Sequence, residues 1–94
     1  MTILWTRKAY DDVDEIAGYL GSLSDDAAER TIDRIQSAIL RLGQFPNIGA
    51  KVDATGLRKL VVADTPYVVF YRVLADHVSI RGVFHTSQRR FLES

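Results

Sequence analysis

Apolar positions change their period once along this chain, from helical spacing in the first half to strand-like runs from Leu57 onward. Ile3, Leu4 and Trp5 form a short extended opening, and Thr6 follows where a helix N-cap is expected. Ala9, Val13, Ile16, Ala17 and Leu20 then recur at helical spacing. They predict an amphipathic helix of about 15 residues. Asp11, Asp12, Asp14 and Glu15 fall between them and read as an acidic helix start favoured by the dipole. Gly21 to Ser24 interrupt the pattern, and Ser24 with Asp25 and Asp26 supplies a cap and negative charge for a second helix. Its stripe is Ala28, Ile32, Ile35, Ile39 and Leu42, ending at Gly43 with Pro46 just beyond. So short a link makes the two helices antiparallel neighbours.

The second half holds LRKLVVA, PYVVFYRVL and HVSIRGVFH, all rich in β-branched and aromatic residues. Turns at Asp64-Thr65-Pro66 and Ala75-Asp76 join them into an antiparallel meander. In the middle run Val68, Phe70 and Leu74 share a face with Arg72, while Tyr67, Val69, Tyr71 and Val73 share the other. With both faces largely apolar, this strand should be central, covered on one side by the helix hairpin and partly shielded on the other. The intervening PNIGAKVDATG is expected to be a connector without regular structure. The expectation is a single α+β domain over residues 1–94: an N-terminal strand and an antiparallel helix hairpin packed on a three- to four-stranded antiparallel sheet.

Composition narrows what such a domain can do. Ninety-four residues bury only a modest share of their surface, so a partner that covers apolar area would matter to stability. The absence of cysteine excludes disulfides, thiol chemistry and thiolate-bound zinc. Only a three-residue apolar run precedes the first charges, and no stretch is long enough to span a bilayer, so a soluble cytoplasmic protein is expected, with no membrane association. The formal charge of zero hides an asymmetry: residues 1–47 carry five Lys/Arg against eight Asp/Glu, and residues 48–94 carry seven against four.

That basic second half contains the candidate chemistry. Acid–base catalysis needs a base and an acid, and an anionic transition state needs positive charge. His85 is the candidate for proton transfer, and Arg58, Arg72, Arg81, Arg89 and Arg90 are the candidates for charge. Strand alternation puts Arg81 on one face with Ser79, Val83 and His85, so Arg81 and His85 would form the patch. Arg58 sits among apolar neighbours and either anchors an ion pair or faces a binding groove; Arg89-Arg90 is either a charged tail or part of the same basic surface. His77 beside Asp76 is expected to face solvent, and Tyr67 and Tyr71, four apart on a strand, to pack in the core. Two distant histidines without clustered carboxylates give no metal site, and no cofactor is expected.

Several segments also resemble a known family. Phe45-Pro46-Asn47-Ile48-Gly49 resembles the Pro-x-x-Gly that follows the second helix of ParE/RelE superfamily toxins, and Leu57-Arg58-Lys59-Leu60-Val61-Val62 resembles their Arg-containing strand. Thr65-Pro66-Tyr67-Val68-Val69-Phe70-Tyr71-Arg72-Val73 and Val78-Ser79-Ile80-Arg81-Gly82-Val83-Phe84-His85 are similar to the family's last two strands, and Trp5, Ala9 and Ile16 to its first helix region. The resemblance implies a type II toxin that forms a hetero-oligomer with a small ParD/RelB-like antitoxin. ParE-like members inhibit DNA gyrase by binding; RelE-like members cut messenger RNA on the ribosome. His85-Thr86-Ser87-Gln88-Arg89 is more similar to the ParE-like ending, and the tail Arg89-Arg90-Phe91-Leu92-Glu93-Ser94 lacks the Tyr common in RelE-like nucleases. A gyrase inhibitor is therefore the leading expectation. The alternatives are a ribosome-dependent endoribonuclease using Arg58, Arg81 and His85, or a non-toxic antitoxin-binding module. In every case operator binding would belong to the antitoxin, since no DNA-binding motif is visible.

Overall fold

The computed structural model describes residues 1–87. Strand β1 (Thr2–Trp5) leads into helix α1 (Arg7–Leu23), and helix α2 (Asp25–Gln44) follows at once. Thr6 caps α1 as expected, its hydroxyl accepting from the Ala9 amide at 3.2 Å. Ser24 serves both helices. Its amide donates to the Leu20 carbonyl at the end of α1, and its hydroxyl accepts from the Ala27 amide at the start of α2. Each cap is worth about 1 kcal/mol. Gly21 does not interrupt α1, contrary to the sequence expectation; a glycine costs a helix about 1 kcal/mol, too little to stop one that is packed along its length.

Four further strands complete the fold: β2 (Ala50–Lys51), β3 (Leu57–Val61), β4 (Tyr67–Val73) and β5 (His77–His85). They make one five-stranded sheet in the order β1-β5-β4-β3-β2, with β4 at its centre as its two apolar faces required. The expected meander of β3, β4 and β5 is antiparallel, whereas β1 runs parallel to β5, Thr2 opposite His77 and Trp5 opposite Ile80. The count exceeds the three to four expected because the connector is not wholly irregular. Ala50 and Lys51 pair with Lys59 and Arg58 as a two-residue edge strand.

One face of the sheet buries Tyr67, Val69, Tyr71, Val78, Ile80 and Val83 against Ala9, Ile35, Ile39 and Leu42 of the hairpin. Tyr67 and Tyr71 are thus core residues, as their spacing predicts. Alternation fails once. Phe70 lies opposite Gly82 but the next residue, Tyr71, lies opposite Ile80, so Arg81 is an extra residue in β5. This bulge shifts the phase of the strand, and Ser79 and Val83 face opposite sides of the sheet although they are four apart.

Candidate functional site

Strand β1 covers only the first half of β5. The chain leaves the sheet at Thr6, whose amide and hydroxyl both donate to the Ile80 carbonyl, at 3.1 and 2.8 Å. From there α1 runs beside the second half of β5 in place of a strand. Asp12 reaches across and accepts the Val83 amide at 3.0 Å, giving that strand-edge donor a partner. The same carboxylate holds the Lys8 ammonium at 2.9 Å, and Lys8 in turn sits 4.2 Å from the centroid of the Phe84 ring. Asp12, expected only to favour the helix dipole, does more than that: its spacing of four from Lys8 signals the pair, but the bond to Val83 needs the tertiary fold.

Substituting a helix for a strand leaves a groove of about 780 Å³ between α1 and the ends of β4 and β5. Ile16, Tyr19, Leu20 and Leu23 line it from the helix, and Pro66, Tyr67, Val83, Phe84, His85 and Ser87 from the sheet. Asp12, Glu15 and Lys8 add charge to a mainly apolar trough. Burial pushes the Tyr67 hydroxyl above the usual phenol range, with Tyr19 nearby adding to the shift.

His85 stands at the mouth of this groove. Its ring meets Tyr67 edge-on, with centroids 5.4 Å apart, and its Nδ1 accepts the Ser87 amide at 3.1 Å. The Ser87 hydroxyl is 2.8 Å from the same nitrogen.

Among the described residues, Arg58, Arg72 and Arg81 do not gather around it. Arg81 bonds the Ser79 hydroxyl at 3.4 Å, on the face turned away from the helices, while His85 lies with Tyr67 on the helix side. The expected Arg81–His85 patch is therefore split by the bulge. Among the described residues Arg58 forms no ion pair and does not line the groove: its guanidinium donates to the carbonyls of Gly49 at 2.6 Å and Asn47 at 3.3 Å. Arg72 donates to the Thr55 carbonyl at 2.6 Å and so fastens the turn between β2 and β3. Asp53 in that turn is held below the usual carboxylate range by its bonds from Thr55. Arg89 and Arg90 lie outside the described residues.

The Pro46-Asn47-Ile48-Gly49 segment is docked by the same strands. The Tyr71 hydroxyl donates to the Pro46 carbonyl and accepts from the Gly49 amide, both at 2.8 Å. A Cβ on Gly49 would lie 2.6 Å from that hydroxyl and 2.7 Å from the Lys59 carbonyl. Close approach, not backbone conformation, demands the glycine. His77 is half-buried rather than fully solvent-facing, and its Nδ1 lies 2.7 Å from the exposed Asp76 carboxylate, a contact that lowers the Asp76 pKa. Among the described residues no group of three or more His, Asp or Glu is placed to hold a metal ion, and no helix is long and apolar enough to cross a membrane.

Comparison with known proteins gives this geometry a family. The profile of the ParE toxin of the type II toxin–antitoxin system parDE matches residues 3–90. Y4kP of Sinorhizobium fredii, which carries a provisional toxin name, is 38% identical over 93% of this chain and 90% of its own length. Toxin RelE2 of Caulobacter vibrioides is 36% identical over 92% of this chain and 96% of its own. A solved structure of the chromosomal ParDE system from P. aeruginosa superimposes with a TM-score of 0.80 at 27% identity, covering 90% of this chain and 95% of that one. The split arginines, the docked Pro-x-x-Gly loop and the hairpin-on-sheet frame thus sit in a known context, and the chain belongs to the ParE toxin family of type II toxin–antitoxin systems.

Proposed function

We propose that this toxin inhibits DNA gyrase by binding it, without bond-breaking chemistry of its own. The observation that carries the reading is the separation of the groups a nuclease would need together. His85 is engaged with Ser87 and Tyr67 on the helix side, Arg81 lies on the opposite face, and Arg58 is committed to loop carbonyls. Phosphate cleavage requires a proton-transfer group and cations converging on one site. Binding requires only surface. The ParE profile and the ParDE structural likeness support the same direction. The name of the Caulobacter relative, RelE2, favours the second reading, a ribosome-dependent endoribonuclease with Arg58, Arg81 and His85 in its site.

The groove between α1 and the ends of β4 and β5 is the seat this reading gives the antitoxin. It is apolar along Ile16, Leu20, Leu23 and Val83 and rimmed by polar groups, the chemistry that an amphipathic segment matches. The toxin would then function within a hetero-oligomer in the cytoplasm.

Pulse labelling of DNA and protein synthesis within minutes of inducing the chain alone in a bacterium tests the target. DNA synthesis should stop first while translation continues. Early arrest of translation would replace gyrase with the ribosome, and unchanged growth would leave a non-toxic antitoxin-binding module.

A further inference from the structure

The two layers of this fold carry opposite charge. Helices α1 and α2 hold eight carboxylates and five cations. The strand residues facing away from them hold Lys59, Arg72 and Arg81 and no carboxylate. Register arranges that outer face in rows. Leu4, Ser79, Arg72 and Leu57 make one; Phe84, Val68 and Val61 make another. Between them runs Gly82, Phe70 and Lys59, with Arg81 of the bulge at the Gly82 end. Two cations therefore stand about 10 Å apart, two strand spacings, across an apolar centre. Val61 and Leu4 are exposed, at 60% and 51%.

Nucleic acid is a poor match for this surface. Single strands are held by exposed aromatic faces and a continuous cationic track. Here Phe70 is buried and meets Phe84 edge-on, Lys8 covers the Phe84 ring, and Arg72 is held by the Thr55 carbonyl. An apolar segment with carboxylates flanking its centre does match, placing them against Lys59 and Arg81 while Leu4 and Val61 are covered.

Building on the toxin reading above, we propose that the outer face of the sheet is the target-contacting surface and docks an acidic amphipathic segment of the inhibited protein, leaving the α1–β5 groove to the antitoxin. The bulge at Arg81 belongs to this surface, because it turns that guanidinium away from His85 and toward the side of Lys59.

The test compares growth arrest on induction for three chains: the wild type, Lys59→Glu/Arg81→Glu, and Lys59→Arg/Arg81→Lys. Charge reversal should abolish arrest, and the charge-keeping pair should retain it. Circular dichroism and melting temperature verify that both variants fold. Each purified chain is then titrated by fluorescence anisotropy with a labelled peptide helix bearing Leu on one face flanked by Glu, and with a labelled oligouridylate. The wild type should bind the peptide more tightly than the RNA, and reversal should weaken the peptide at least about tenfold. Full arrest by the folded reversed pair, no peptide binding by the wild type, or tighter binding of the RNA overturns the proposal. A wild-type chain that arrests nothing sinks the toxin reading itself, and the proposal of a target surface falls with it.

Discussion

The hydroxyl of Tyr71 bridges the loop that contains Gly49, accepting the Gly49 amide and donating to the Pro46 carbonyl from a ring that is fully buried. Tyr71→Phe removes both bonds and leaves a buried amide without a partner, which costs about 1–3 kcal/mol. Gly49→Ala drives a methyl group into the same hydroxyl and should cost a similar amount, about 1–3 kcal/mol. Because Tyr71→Phe removes the atom that Gly49→Ala collides with, the double variant should lose less than the sum of the two. Urea melts of the four proteins give the coupling energy, and strict additivity would mean that the loop is not held by this contact.

Asp12 makes a second prediction. Asp12→Ala leaves the Val83 amide and the Lys8 ammonium without their acceptor, whereas Asp12→Asn keeps an oxygen for the amide. The alanine variant should lose about 1–2 kcal/mol and the asparagine variant less. Amide hydrogen exchange at Val83 should quicken more in the former than in the latter; equal protection in the two would show that water or another group serves that donor.

Alkaline pH should destabilise the fold. Burial raises the folded pKa of Tyr67 and Tyr71 above the ordinary value of 10.0. A raised folded value means that the native state holds its proton longer than the unfolded chain, so this contribution is complete below pH 10 and is lost as the pH climbs from there through the folded pKa. Chemical melts from pH 8 to 11 should show stability falling above about pH 10, and absorbance at 295 nm should show two phenols titrating late. Constant stability across that range would mean the two rings ionise as freely in the folded chain as in the unfolded one.

His85 separates the two target readings. In the binding mode His85→Gln should arrest growth nearly as well as the wild type, since binding asks no proton transfer of the ring. In the nuclease mode the same change should cost at least about a hundredfold in activity. Growth curves after induction distinguish them, with immunoblots to equalise the amount of toxin.

Much of this architecture was readable because it depends on periodicity. The stripes of α1 and α2, the caps at Thr6 and Ser24 and the central place of β4 all follow from which side chains must avoid water. The bulge was also written in the chain, though alternation was applied through it: Val78 and Ile80 are two apart, but the next core residue of β5 is Val83, three further on. That phase change is the signal of an extra residue. The anchoring of Arg58 and Arg72 on backbone carbonyls left no such mark, because a carbonyl acceptor is present at every position and only the tertiary path selects one. Ala50–Lys51 was hidden for a related reason, since a two-residue edge strand is defined by its partner's register rather than by its own composition. The extent of the groove between hairpin and sheet depends in turn on how far β5 outruns β1.

Strand β1 has a single neighbour, β5, and that neighbour is the last described strand to leave the ribosome. While the chain is being made, the hairpin can form locally and Ile3 can lie against Gly43 of α2, but β1 cannot pair with its strand until residues 77 to 80 emerge. Closing so long a loop is entropically slow. The same late strand supplies Arg81 and one wall of the groove. Before β5 emerges, a nascent chain thus lacks both the Arg81 surface and that wall, and the two arise together in one closing step.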